Sequence, residues 1–116
     1  MKIFKRKLKT AYFKAQWTEL QKLCASKDTW GLAVTNADKL LDEALKKRKF
    51  KGKSMGERLV SAQRDLSDND AVWFAHNLSK KILEDTISRL READVKKSLV
   101  GIRQALRDLG ALNGKP

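Results

Sequence analysis

The chain has 116 residues, room for one hydrophobic core of ordinary domain size, and its 41% hydrophobic and 34% charged residues exclude both a membrane-spanning and a disordered protein. One Cys, one Pro and six Gly exclude a disulfide-stapled or loop-rich chain, so a reducing, cytoplasmic setting is expected. Lys and Arg number 26 against 14 Asp and Glu, a formal net charge of +12, which points to an anionic partner.

Residues 1–9 read as a basic N-terminal arm carrying Lys2, Lys5, Arg6, Lys7 and Lys9, and Lys14 extends the acid-free run. Ile3, Phe4, Leu8, Tyr12 and Phe13 interleave with these cations, without the continuous apolar segment that a signal peptide requires. A single domain is expected over 10–112. Its first helix is predicted over about 11–26, because Phe13, Trp17, Leu20 and Cys24 recur at steps of four, three and four, with Thr10 as N-cap. Ser26, Asp28 and Thr29 make a break rich in capping residues. Trp30, Ala33, Val34, Ala37, Leu40, Leu41, Ala44 and Leu45 then mark a second, central helix.

That helix runs out into Lys46, Lys47, Arg48, Lys49, Lys51 and Lys53, cations suited to the negative end of its dipole, with Gly52 permitting a turn. Ser54 and Glu57 have the spacing of a capping box, and Met55, Leu59, Ala62 and Leu66 follow on one face of a short third helix. Residues 67–70, Ser-Asp-Asn-Asp, supply the next cap; Val72, Ala75, Leu78, Ser79, Ile82 and Leu83 mark the buried side of a fourth helix. Trp73, His76, Asn77, Lys80 and Glu84 lie on its neighbouring face. A fifth helix starts near Glu92 to Asp94, with Val95, Leu99, Ile102, Leu106 and Leu109 on its stripe and a Schellman-type stop at Gly110 to Leu112. Residues 113–116 read as a frayed tail.

No segment alternates apolar and polar residues with a period of two, so the fold class is all-α, a four-to-five-helix bundle. Helices one, two, four and five are expected to form the bundle, with the third a connector. The expected core is Trp17, Leu20, Trp30, Val34, Ala37, Leu41, Leu59, Val72, Ile82, Leu99, Ile102 and Leu106.

The charge is localised. The runs 1–14 and 46–53 each hold six cations and no acid, so together they supply the whole net charge and leave the rest of the chain balanced. Concentrated like charge repels itself and attracts polyanions, so these twelve residues are the candidate nucleic-acid contacts.

Other chemistry has less to stand on. One Cys and one His exclude the usual structural zinc site, and neither a metal nor a cofactor is expected. Cys24, on the apolar stripe, reads as a small buried hydrophobe. Asp38 and Asp42, four apart, have the spacing either to share a divalent cation with a third carboxylate or to form a solvated or Arg-paired face. No phosphate-binding glycine loop or nucleophile elbow is present.

Three segments carry a resemblance: Ala37 to Leu45 (ADKLLDEAL), Gly52 with Met55 to Leu59 (MGERL), and Val72-Trp73 with Ala75-His76 and Leu78. Over roughly residues 17–112 the chain resembles the HEPN family of small helical bundles, the higher eukaryote and prokaryote nucleotide-binding domains. Active members carry an R-x4-6-H motif, its Arg over the scissile phosphate and its His serving proton transfer at the ribose 2′-OH, usually across a dimer cleft. Aligned on Ala75-His76, this chain has Ser79 at the Arg position and Glu84 at the His position, with Lys80 and Asp85 at the flanking ones. The resemblance thus implies a degenerate motif and a non-catalytic, nucleic-acid-associated bundle, with RNA favoured over DNA. A homodimer through helix four, where Trp73 and Phe74 crowd one end, is expected on the same grounds. Two alternatives stand beside this: a protein-interaction or dimerisation module, and a ribonuclease whose site is misaligned and uses His76 with Lys80 or Arg58.

Overall fold

Apolar stripes flanked by capping residues become helices where the spacing predicts them. A computed structural model describes residues 7–113, and these contain α1 (Thr10–Lys22), two 3-10 turns (Leu23–Ala25 and Lys27–Thr29), α2 (Trp30–Lys47), α3 (Met55–Ala62), α4 (Asn69–Leu83) and α5 (Glu92–Asp108), with no strand. α2, α4 and α5 pack on one another, and α1 and α3 are each laid against α2. The expectation of a four-helix bundle plus connector is thereby refined: three helices make the centre, and α3 contributes Leu59 and Ala62 to the core.

Phe13, Leu41, Leu45, Leu59, Ile102, Leu106 and Leu109 are completely buried, each such side chain contributing about 1.5–3 kcal/mol. Val34, Leu78 and Val95 form a second, smaller cluster, with Trp30, Ile82 and Leu99 half-buried at its edge rather than in the core as expected. Leu83 is 65% exposed, because it is the last residue of α4 and the helix has outrun the partners that would cover it. Small residues let α4 and α5 approach closely: a Cβ on Gly101 would lie 2.8 Å from that of Ala71.

The helix ends depart from the sequence reading in three places. Thr10 is the first helical residue and Lys9 the N-cap, without a side-chain cap bond, and α1 tightens into a 3-10 turn after Lys22. That corner is held by the Trp30 indole, whose Nε1 donates to the Cys24 carbonyl at 3.0 Å. The α3 capping box is displaced by one residue on one side: Ser54 Oγ accepts from the Glu57 N–H at 3.2 Å, and the Glu57 carboxylate accepts from the Lys53 N–H at 2.9 Å. The turn after α2 is made at Lys49, φ 66°, and not at Gly52. Its Schellman bonds run from the Phe50 N–H to the Leu45 carbonyl and from the Lys49 N–H to the Lys46 carbonyl. Gly52 serves another purpose, since a Cβ there would meet the Arg58 backbone nitrogen at 2.6 Å. The expected stop after α5 does form, with Gly110 at φ 82° and the Ala111 N–H donating to the Leu106 carbonyl at 2.8 Å.

Candidate functional site

The start of α1, the end of α2 and the end of α5 meet at one end of the bundle. Lys47 Nζ lies 5.2 Å from the centre of the Tyr12 ring, and the Arg48 guanidinium donates through Nη1 to the Leu109 carbonyl at 2.7 Å. The two basic runs therefore adjoin, with Lys7, Lys9 and Lys14 exposed on the first; Lys2, Lys5 and Arg6 lie outside the described residues. Hydrogen bonding to Glu43, reinforced by burial and by that carboxylate's charge, raises the pKa of Tyr12.

Within the second run the cations divide. Lys46 is 3.7 Å from Asp42 and Lys47 3.9 Å from Glu43, exposed pairs of small net value. Arg48 is half-buried and spent on the Leu109 carbonyl, so it is a clamp between helices and not the free cation that its place in the run suggests. Lys49, Lys51 and Lys53 are exposed, without a carboxylate partner among the described residues. They border an open recess of about 650 Å³ together with Lys46, Phe50 and Arg58. Its single acid, Glu57, is occupied by the Lys53 backbone N–H. The recess thus presents three exposed ammonium groups, those of Lys49, Lys51 and Lys53, to solvent.

Asp38 and Asp42 do not converge on a cation site. Arg58 reaches across from α3 and grips Asp42 bidentately, Nε to Oδ1 at 2.7 Å and Nη2 to Oδ2 at 2.8 Å, while its Nη1 donates to the Gly52 carbonyl at 2.9 Å. Of the two patterns open to this acidic pair, the shared cation is overturned for want of a third ligand: no group of three His, Cys, Asp or Glu gathers among the described residues. Hydrogen bonding to Asp42 raises the pKa of Arg58, which is 9% exposed, and three of its five N–H donors are taken up by Asp42 and the Gly52 carbonyl. Arg58 is turned to Asp42 and Gly52, whereas His76 faces Asp38.

One turn earlier on α2, Asp38 Oδ2 lies 3.0 Å from His76 Nδ1, both side chains largely buried, and Trp73 meets the imidazole edge-on with ring centres 5.8 Å apart. A carboxylate at Nδ1 orients the ring and favours the tautomer whose Nε2 accepts. Lys80, one turn on from His76, is exposed.

The degenerate motif positions do not form a cleft. Ser79 is 1% exposed and buried between helices, while Glu84 caps the end of α4 in solvent. Five helical residues turn through about 140°, so the two positions do not share a face. Trp73 and Phe74, the aromatic pair on helix four, are each partly covered within the chain. Both are half-buried, Trp73 against Gly56 and Phe74 beneath Lys97, whose Nζ is 4.3 Å from the ring centre. Cys24 is half-buried rather than fully buried, and desolvation raises its thiol pKa.

Sequence reasoning missed Arg103 and Arg107. Their i,i+4 spacing places them on one face of α5, a signal present in the chain but hidden when the region outside the two runs is counted as neutral. A scan against protein-family models finds no match, and searches of curated proteins and of solved structures find no similar chain.

Proposed function

We propose that this bundle is a non-catalytic nucleic-acid-associated protein of HEPN-like type, which holds the sugar-phosphate backbone at its cationic end. The observation that carries the reading is the meeting of the two basic runs, with Lys47 over Tyr12 and Lys49, Lys51 and Lys53 projecting beside them without carboxylate partners among the described residues. Such crowding of like charge is relieved by releasing condensed counterions from a phosphate backbone. RNA is favoured over DNA by the resemblance alone. The lack of catalysis follows from Ser79 and Glu84, which supply neither the cation nor the imidazole that the motif's chemistry needs, and from the commitment of Arg58 to Asp42.

The test is a salt series of fluorescence-anisotropy titrations on duplex and single-stranded probes, beside a ribonuclease assay. If roughly six phosphates are neutralised, log affinity for a duplex falls with log salt at a slope of about −5, and Lys49→Glu/Lys51→Glu/Lys53→Glu flattens it by about 3 across all sequences. Binding that is indifferent to the triple reversal would make the loop a solvated surface and favour a protein partner. Metal-independent cleavage that vanishes in His76→Ala would instead make the protein a ribonuclease.

A further inference from the structure

α1 and α5 run beside one another without meeting: no Cα of one lies within 8 Å of a Cα of the other. The gap is an open groove in two segments of about 390 and 290 Å³, continuous because Trp17, Gln21 and Arg103 line both. Lys14 stands on the α1 wall; Arg103, Arg107 and, further along, Lys96 stand on the α5 wall. No Asp or Glu lines either segment.

Two features of this groove lack an internal explanation. Arg103 and Arg107 are half-buried, yet neither has a carboxylate at ion-pair distance among the described residues. The nearby Asp108 is turned to Ser67 and Gln104 instead. Trp17, at the base of the groove, is 7% exposed, and its indole Nε1 is buried without an acceptor, an unfavourable state for a polar group. Guanidinium groups are planar forks suited to phosphate oxygens, and Trp17 lines the groove beside them.

We infer that the α1–α5 groove is a second phosphate-binding track, in which Arg103, Arg107 and Lys14 hold neighbouring phosphates of a single-stranded nucleic acid over Trp17. The two guanidiniums are spaced one helical turn apart, about 6 Å along α5, which suits successive phosphates of one strand. The groove opens toward the basic end through Lys14 and extends the polymer's path along the bundle. This deepens the nucleic-acid reading but does not depend on the loop residues that carry it.

The experiment compares the full chain with Arg103→Gln/Arg107→Gln and with Lys49→Gln/Lys51→Gln/Lys53→Gln, titrating each with a uridine oligonucleotide by anisotropy in rising salt. Indole N–H signals are followed by NMR, that of Trp17 being assigned by Trp17→Phe, and thermal melting checks that both variants fold. The groove variant is expected to flatten the salt slope by about 1.4 and the loop variant by about 2.1, since each single-strand contact contributes about 0.7. The Trp17 signal should move with RNA in the wild-type chain and the loop variant but not in the groove variant. Unchanged binding by the groove variant with a static Trp17 signal overturns this inference while leaving the loop reading intact. An impaired groove variant beside an unimpaired loop variant upholds the groove and overturns the loop. If uridine monophosphate or inorganic phosphate moves the Trp17 signal as far as the oligonucleotide does, the ligand is a small phosphate compound and the strand inference falls.

Discussion

Arg48 and Leu109, 61 residues apart in the chain, are joined by a 2.7 Å hydrogen bond from the guanidinium Nη1 to the carbonyl oxygen, fastening the end of α2 to the end of α5. A hydrogen bond from a charged donor contributes about 1.5–3 kcal/mol, so Arg48→Ala should lower stability in urea by about that amount. Lys51→Ala, three residues further on and exposed, should stay within about 0.5 kcal/mol of wild type. Equal losses for the two variants would mean that the clamp carries no stability.

Lys49 is held at φ 66°, where an L-residue is strained by about 1–2 kcal/mol. Lys49→Gly relieves that strain at some cost in unfolded-chain entropy, for a net stabilisation of about 0.5–1 kcal/mol. The same change removes one cation from the loop and should flatten the single-strand salt slope by about 0.7. A variant that melts higher but binds more weakly is the expected signature; one that melts lower would show that the side chain supports the turn.

Asp42→Asn leaves the Arg58 guanidinium largely buried without its counter-charge, a change expected to cost about 3–5 kcal/mol. Arg58→Met, which replaces the charge by an apolar chain, should cost less, and the double variant Asp42→Asn/Arg58→Met should recover part of the first loss. Chemical denaturation of the four proteins gives the coupling directly. Strict additivity would contradict a direct pair.

Gly101→Ala introduces a methyl group 2.8 Å from the Ala71 Cβ, and the contact involves helix backbone on both sides, so neither can yield by a rotamer change. Overpacking of this kind costs about 1–3 kcal/mol. Thermal melting of Gly101→Ala beside Gly110→Ala separates packing from backbone conformation, because Gly110 sits at φ 82° with open space around it.

The starts of α3 and α4 were legible because each has an apolar stripe and a recognisable cap, Ser54 Oγ accepting from the Glu57 N–H and Asp68 Oδ1 from the Ala71 N–H, whereas α2 and α5 were legible from their stripes alone. The left-handed turn at Lys49 was not, since no residue there announces a positive φ. Periodicity gives the face of a helix but not its azimuth against a neighbour, so Asp42 and Arg58, 16 residues apart, each read as a surface charge until α3 is folded back on α2. The same limit hid the α1–α5 groove: Trp17 is correctly read as buried, but nothing in the spacing of α1 says that α5 stays at a distance. The charge runs were legible as composition, whereas their meeting, and the diversion of Arg48 from surface to clamp, depend on where two helices end.

Because α5 begins beyond the connection at 84–91 and ends at the basic end, that connection occupies the opposite end of the molecule, where Gly31 at the start of α2 also lies, near Leu90. The centre of charge is therefore displaced from the centre of mass along the long axis. In the field of a polyanion such a particle feels a torque as well as an attraction, and it turns before it touches. On the proposed nucleic-acid reading, encounters are thus sorted by orientation, with the basic end leading.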